Sequence, residues 1–380
     1  MDIQQALPLL GGLSPAQFMK QYWQKKPLLV RQAIPQFQAL LSRTDLLALA
    51  EQEDVESRLV KKIKGDAGWQ VRSGPFERRQ LPPFKTPDWT LLVQGVDLHL
   101  DAAHELLQAF RFLPAARLDD LMISFATDGG GVGPHFDSYD VFLLQAHGTR
   151  EWRIGQQKDL TLRDDTPLKV LAHFEPEQTF LLEPGDLLYL PPRYAHDGIA
   201  RGECMTYSIG FRAPKASELA QGLLQRLAEQ AESEENAALY SDPKQEAVSH
   251  PAGVPAGLQN FASKVTSRWL SDPKALALAL GEWLTEPKPR VWFDAPQQAP
   301  EWADVEGGVG LDRRTKALYD AHYFFINGEG FRAGGKDAKL MRQLADVRRL
   351  NSQEMTALSP LAKELVLEWC DSGWLRPMAA

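Results

Sequence analysis

Between Leu118 and Arg212 the apolar residues of this chain come in short runs cut by Gly, Pro and Asp. The runs are Leu121–Phe125, Tyr139–Ala146, Glu151–Ile154, Thr179–Leu182, Asp186–Leu190 and Met205–Phe211. Each is too short for a buried helix and reads as a strand. Several short strands at regular spacing predict a sandwich or barrel. The pair Pro191-Pro192 ends its strand sharply, because neither residue can donate to a ladder. Upstream the period changes. Ser14-Pro15 reads as a helix cap followed by proline at the first helical position, with Phe18, Tyr22 and Trp23 as an apolar stripe. A second helix is expected from Thr44 through Leu46, Leu47 and Leu49. Asp54–Val60, Trp69–Arg72 and Ser73–Phe76 read as short strands and loops of an antiparallel sheet. Trp89–Val96 and Ala102–Phe112 are expected to be helices flanking it.

After Pro214 the pattern turns helical. Ser217–Ala231 carries Leu219, Leu223, Leu224 and Leu227 on one side, and an acidic, polar stretch runs on to Pro251. Helices over Leu258–Leu270 and Pro273–Trp283 follow. Glu286-Pro-Lys-Pro289 reads as a linker. Beyond it short strands (Gly310–Leu318, His322–Ile326, a turn at Asn327-Gly328, Phe331) mix with helices over Lys336–Leu350 and Leu361–Ser372, compatible with a winged helix. The chain thus divides at 1–214, 215–287 and 288–380. Leucine stripes on the middle helices are wider than one small helical pair needs to bury, which predicts a homodimer.

Composition narrows the class. With 380 residues, 44% hydrophobic and 24% charged, the chain is an ordinary globular protein of two or three domains. Met1–Gln5 lacks the basic region of a secretory signal, and no apolar stretch approaches membrane-spanning length. The two cysteines, Cys204 and Cys370, have no zinc spacing and read as free thiols, so a reducing cytoplasm is expected. A net charge of −8 disfavours nonspecific nucleic-acid binding and mildly favours a basic partner. Residues 301–350 hold nine Lys or Arg against eight Asp or Glu. Without a basic stripe the winged helix is expected to contact protein, not DNA.

The candidate chemistry lies in Gly129–Arg150. His135 and Asp137 precede the apolar run Val141–Leu144, and on a strand residues i and i+2 share a face. His196 sits past Pro191-Pro192 in a matching context. Two His and one carboxylate make the facial triad of non-haem Fe(II) oxygenases, which leaves open positions for co-substrate and dioxygen. A small-molecule metal site of this kind suits a double-sheet jelly roll. A lone His-x-Asp is weak, but here glycines let the backbone turn tightly into the metal strand and Pro134 restricts the approach to the ligand. Arg150, after Gly148-Thr149, offers a bidentate partner for the far carboxylate of a dicarboxylic co-substrate, with Arg153 an equally placed rival. A phosphate cradle is excluded, since no Lys-Ser/Thr and no helix follow the glycines. His147 and His173 lack the ligand pattern and read as surface histidines, and His99, His104, His250 and His322 carry none. Ser124 could bond a carboxylate in the pocket, although a neighbour satisfies most strand serines. Asp119-Asp120 reads as a solvated charge pair at the start of a strand.

Taken together the motifs resemble the bacterial JmjC-type 2-oxoglutarate oxygenases that hydroxylate an arginine on a large-subunit ribosomal protein, the sixteenth of the L series. The resemblance is carried by Ser57–Val60, Gly74–Phe76, Trp89–Gln94, Asp120–Phe125, Gly129–Phe142, Trp152-Arg153, Glu183–Pro192 and Tyr207–Pro214. It is close over residues 10–215 and extends to the C-terminal third only in layout. It implies a mixed, mainly β protein: a double-stranded β-helix (jelly roll) of the cupin/JmjC type with flanking helices, a helical dimerisation region and a winged-helix-like C-terminal domain. It implies His135, Asp137 and His196 as Fe(II) ligands, and Arg150 over Arg153 as the partner of the 2-oxoglutarate side-chain carboxylate. It also implies that Asp120, Met122 and Tyr139 line the channel of the substrate arginine. Succinate and CO2 would be the co-products. Two other classes remain on the sequence: a cupin enzyme without 2-oxoglutarate, which usually has three His ligands, and a binding protein with a vestigial site, which would have lost the triad. A JmjC hydroxylase of a different protein residue is the nearest variant of the main reading.

Overall fold

The computed structural model describes residues 2–63, 68–232 and 238–378. The chain forms two compact units, Met1–Ala213 and Pro214–Ala380.

The first unit is a sheet with helices packed on one face. Helix α1 (Pro15–Gln21) begins as expected at Ser14, whose Oγ accepts from Gln17 N at 3.2 Å while Gln17 Oε1 accepts from Ser14 N at 2.9 Å. Helix α2 (Arg43–Ala50) is capped by Ser42 instead of Thr44, because Asp45 then closes the same reciprocal pair of bonds. The remaining elements are β1 (Leu28–Val30), β2 (Ser57–Lys62), β3 (Trp69–Ser73), β4 (Trp89–Val93), α3 (Asp101–Gln108), β5 (Leu118–Ala126), β6 (Asp140–Gly155), β7 (Gln178–Leu182), β8 (Leu187–Leu190) and β9 (Ala195–Phe211). The strands pair in the order β1-β8-β6-β9-β5-β4-β2-β3, and β7 pairs with the far half of β6. Every pairing is antiparallel.

Two expectations fail here. Trp89–Val93 is a strand, not a helix. All five of its residues are buried, so neither a 3.6 nor a 2.0 period shows, and the β-forming Trp, Thr and Val decide the outcome. The expected break at Gly148-Thr149 is a bulge inside one continuous strand, β6, with register shifts on both sides of His147. Gly148 adopts φ +59°, and a Cβ there would run into the carbonyl of Glu203.

Residues on the two faces of the sheet go to different cores. Leu121, Ile123 and Phe125 of β5, with Phe142, Leu144 and Ala146 of β6, join the main core under α1 and α3. Phe18 of α1 packs there on Tyr189 and Phe142, with centroids 5.0 and 5.6 Å away. Val141, Leu143, Trp152, Ile154, Leu182, Leu188 and Leu190 fill a second core on the opposite face. That second face is the inside of the roll, where the candidate site lies.

The second unit runs through α4 (Ala216–Glu232), α5 (Ala256–Leu270), α6 (Pro273–Thr285), α7 (Trp302–Val305), β10 (Gly308–Leu311), β11 (Ala317–Tyr319), β12 (Tyr323–Ile326), β13 (Glu329–Arg332), α8 (Gly335–Val347), β14 (Arg349–Asn351), α9 (Ser352–Thr356), α10 (Pro360–Asp371) and β15 (Leu375–Pro377). Within the acidic stretch, residues 233–237 lie outside the described residues. Helices α4 and α6 pack through Leu227, Ala275 and Ala279, and Gly281 of α6 lies on the ring of Phe325 in β12. The small sheets β11-β12-β13 and β14-β10-β15 share a core with α8 and α10, including Phe324, Leu344, Val366 and Trp369. The expected strand Gly310–Leu318 is in fact β10 and β11, divided by a turn at Asp312–Thr315. Among the described residues no helix is long and apolar enough to cross a membrane.

Candidate metal centre

His135 and Asp137 lie in an extended segment just ahead of β6, not inside the strand as the alternation suggested. His135 forms a bridge with His196 on β9: His135 N donates to His196 O at 2.9 Å, and His196 N to His135 O at 2.8 Å. The backbone of Asp137 is fixed by Arg193, whose N donates to its carbonyl at 2.7 Å. Two glycines let the strands close up, since a Cβ on Gly131 would stand 2.5 Å from the carbonyl oxygen of Gly198. Ligand atoms of His135, Asp137 and His196 all fall within 4.8 Å of one another, and His196 Nε2 is 3.6 Å from Asp137 Oδ2. Among the described residues this is the one cluster with metal-binding geometry.

The electrostatics suit a cation. Each imidazole commits Nδ1 to a carbonyl, His135 to Gly133 at 2.8 Å and His196 to Tyr194 at 2.9 Å. With Nδ1–H donating, the lone pair of Nε2 is left for a metal, which is how outer contacts set the tautomer of a ligating histidine. His196 is 2% exposed, and burial, then the neighbouring His135, push its pKa down to about 4. It is therefore a neutral ligand at neutral pH.

Arg150 is the second charged group inside the roll. It is 4% exposed, and its Nη1 donates to Ser124 Oγ at 2.8 Å. Its Nε and Nη2 are buried with no acceptor among the described residues. A buried guanidinium without a counter-ion is costly, so two orphaned donors in a fixed fork fit an anionic ligand. The rival Arg153 sits on the outer face, bonded to Glu151 at 2.8 Å, in a group with Arg201. The bulge at Gly148 separates the two. Gln145 and Arg150 are five residues apart yet share the inner face, which unbroken alternation forbids.

Asp120, Met122 and Ser124 share the inner face of β5, opposite to Leu121 and Ile123. One oxygen of Asp120 accepts from Gly95 N at 3.1 Å, so the carboxylate is held and is not a loosely solvated charge. Met122 is half-buried opposite Ser208. Tyr139 is 38% exposed just ahead of β6. Burial of its hydroxyl, then the charges of Asp137, Asp120 and Asp119, push its pKa well above the usual tyrosine value. His147 and His173 are both exposed and away from the triad.

Three supporting residues were not singled out from the sequence. Gln145 Nε2 donates to the carbonyls of His147 and Gly148 at 2.9 and 3.1 Å, and its Oε1 accepts from Thr206 Oγ1 at 2.8 Å, so this pair braces the bulge that aims Arg150. The polar Gln145 in an apolar run was the available signal. Trp152 lies 5.9 Å under the Arg150 guanidinium and 5.8 Å from the His196 ring.

A jelly roll with an inward His-x-Asp…His set and a buried, uncompensated arginine defines a JmjC-type oxygenase. The JmjC domain family matches residues 105–219, and the ROXA-like winged helix matches residues 268–376. The ribosomal protein uL16 3-hydroxylase of Escherichia coli is 36% identical over 290 residues, 76% of this chain and 75% of that one. A probable ribosomal oxygenase of Haemophilus influenzae is 37% identical over 216 residues, 56% of this chain and 52% of its own length. The structure of the Escherichia coli ribosomal oxygenase YcfD in complex with cobalt and 2-oxoglutarate superposes with a TM-score of 0.79 at 30% identity, covering 94% of this chain and 96% of that one. The chain belongs to the JmjC-domain ribosomal oxygenase family.

Proposed function

We propose that this protein is an Fe(II)- and 2-oxoglutarate-dependent oxygenase that hydroxylates an arginine side chain of the large-subunit ribosomal protein uL16. The observation that carries the co-substrate is Arg150: a buried guanidinium that donates to Ser124 and whose Nε and Nη2 have no acceptor among the described residues. The ribosomal substrate is drawn from the relative named for uL16 3-hydroxylation.

His135, Asp137 and His196 would hold the metal on one face and leave the opposite positions open. Arg150 and Ser124 would take the far carboxylate of 2-oxoglutarate and orient its 2-oxo acid end toward the triad. When bound, Fe(II) supplies the oxidation of an unactivated C–H bond by dioxygen, coupled to conversion of 2-oxoglutarate into succinate and CO2. The protein's share is orientation. Asp120 would pair with the incoming guanidinium, Tyr139 would stack on its plane and Met122 would pack on its aliphatic stem. The apolar second core beside the site keeps bulk water from the reacting carbon. Helices α4–α6 expose Leu224, Leu258, Val265 and Leu270, and we assign them to a homodimer contact. The reading places the protein in the cytoplasm with its ribosomal substrate, with no membrane attachment and no direct DNA binding.

The test is incubation of the purified protein with Fe(II), 2-oxoglutarate and native large-subunit ribosomal proteins, with oxygen addition mapped by mass spectrometry. One added oxygen on a uL16 arginine, dependent on 2-oxoglutarate, is expected. No addition, or addition without 2-oxoglutarate, would overturn the reading.

A further inference from the structure

Asp140 opens β6 three residues after Asp137, but its side chain points to the opposite face, into the main core. The carboxylate is fully buried and accepts from Tyr189 Oη at 2.7 Å, Gln24 Nε2 at 2.9 Å and Arg117 Nη2 at 3.2 Å. Among the described residues these hydrogen-bond partners belong neither to the metal triad nor to the residues assigned to the channel. A buried ion pair is a poor source of stability by itself, because desolvation offsets the attraction. Its value lies in what it holds in place.

Arg117 stands immediately before β5 and is tied to the end of β9. Arg212 N donates to the Arg117 carbonyl at 2.6 Å, and Arg117 Nε donates back to the Arg212 carbonyl. Strand β9 lies between β5 and β6, and Phe211 is the register partner of both Leu118 and Asp140. To reach Asp140, the guanidinium crosses the end of β9, so one side chain spans three strands. It does so beside an irregularity in the ladder: the β5–β9 register shifts between Leu118 and Leu121, the stretch that carries Asp120. On the β6 side the same clamp anchors the residues just after Tyr139.

We propose that Arg117 and Asp140 are positioning residues for substrate: their ion pair fixes the spacing between the β5 wall that carries Asp120 and the start of β6, next to Tyr139. This rests on the reading above that Asp120 and Tyr139 line the substrate channel. With the clamp released, the channel floor and the metal ligands stay put while the two rims drift apart. The peptide then binds poorly and lies off line, but the metal centre, supported by the His135–His196 bridge and Arg193, keeps its affinity.

Arg117, with a side chain 27% exposed, is the variant to make first, since Asp140 is wholly buried and its loss risks misfolding. In the full-length protein, Arg117→Gln should raise the KM for a uL16 arginine peptide about ten-fold, the scale of a small misplacement. The 2-oxoglutarate consumed per peptide hydroxylated should rise with it, while Co(II) affinity stays unchanged. Arg117→Lys, which keeps the charge, should recover most of the loss. Where Asp140→Asn folds, combining it with Arg117→Gln should add little to either alone. An unchanged peptide KM in Arg117→Gln, a parallel loss of Co(II) affinity, or full additivity of the pair would overturn the proposal. Asp120→Asn separates the two readings. If its peptide KM is unchanged, the channel assignment fails and the clamp with it. If that KM rises and the Arg117→Gln value does not, the clamp alone fails.

Discussion

Arg150 Nη1 donates to Ser124 Oγ at 2.8 Å across the inside of the roll, while Nε and Nη2 of the same guanidinium are buried with no acceptor among the described residues. One neutral hydroxyl does not offset the desolvation of a full charge. The arrangement is incomplete without an anion.

Replacing Arg150 with Ala should therefore raise the 2-oxoglutarate concentration needed for turnover by the equivalent of ~2–4 kcal/mol, the cost of leaving a buried carboxylate unpaired. Metal affinity should hardly move. Titration of Co(II)-loaded protein with 2-oxoglutarate checks this, and an unchanged requirement would shift the role to another cation.

Asp137 is the sole anionic member of the triad. Asp137→Ala should lower Fe(II) or Co(II) affinity by at least about 100-fold, the upper end of what outer-shell partners alone contribute. Turnover should be lost. Metal bound at the wild-type affinity in this variant would place the centre elsewhere.

Gly148 makes the aim of Arg150 depend on backbone shape. At φ +59°, and with the Glu203 carbonyl where a Cβ would go, Gly148→Ala has to remodel the bulge. A destabilisation of more than ~1 kcal/mol is expected for Ala at positive φ. The sharper expectation is functional, namely weaker 2-oxoglutarate binding with Co(II) affinity retained. Equal loss of both would mean that the bulge supports the whole site and not Arg150 in particular.

What the sequence made legible follows physical lines. The triad could be read because His-x-Asp, a glycine approach and a His after a Pro-Pro stop are local patterns, and local patterns survive in one dimension. The choice between Arg150 and Arg153 could not be read from spacing, since it turns on a bulge that reverses the alternation between Gln145 and Arg150. Strand Trp89–Val93 carries no readable period, because burial on both faces erases it. The brace of Gln145 on Thr206 and the contact of Arg117 with Asp140 join residues 61 and 23 positions apart, and no sequence window holds such pairs.

Leu224, Leu258, Val265 and Leu270 of α4 and α5 are 53%, 38%, 41% and 45% exposed, an unusual run of apolar side chains facing solvent. A second copy covering these helices is expected to give a dimer in light scattering at micromolar concentration. Leu258→Glu with Val265→Glu should then shift the mass to that of a monomer. A monomer in the unaltered protein would count against the assignment.

Substrate choice gives the most discriminating test, because it depends on fixed charge and not on fold. Asp120 is held by Gly95 N–H, and the charges of Asp137, Asp120 and Asp119 all act to raise the pKa of Tyr139. The mouth is therefore acidic and partly dehydrated. A guanidinium that enters it loses water and needs a carboxylate in fixed geometry, which a planar fork can engage with two hydrogen bonds and an ammonium cannot. Tyr139 offers a ring face at the same point, where a planar cation stacks better than a compact one. A uL16 peptide with lysine in place of the target arginine should be hydroxylated at least about ten-fold more slowly, the cost of one charge-assisted hydrogen bond. Asp120→Ala should cut arginine turnover while leaving 2-oxoglutarate affinity as it was, because Arg150 and Ser124 lie deeper in the roll. Mass spectrometry of paired arginine and lysine peptides reads both effects. If lysine is hydroxylated as fast as arginine, or the Asp120 variant keeps its rate, recognition by the acidic mouth is wrong and the peptide must be selected elsewhere on the surface.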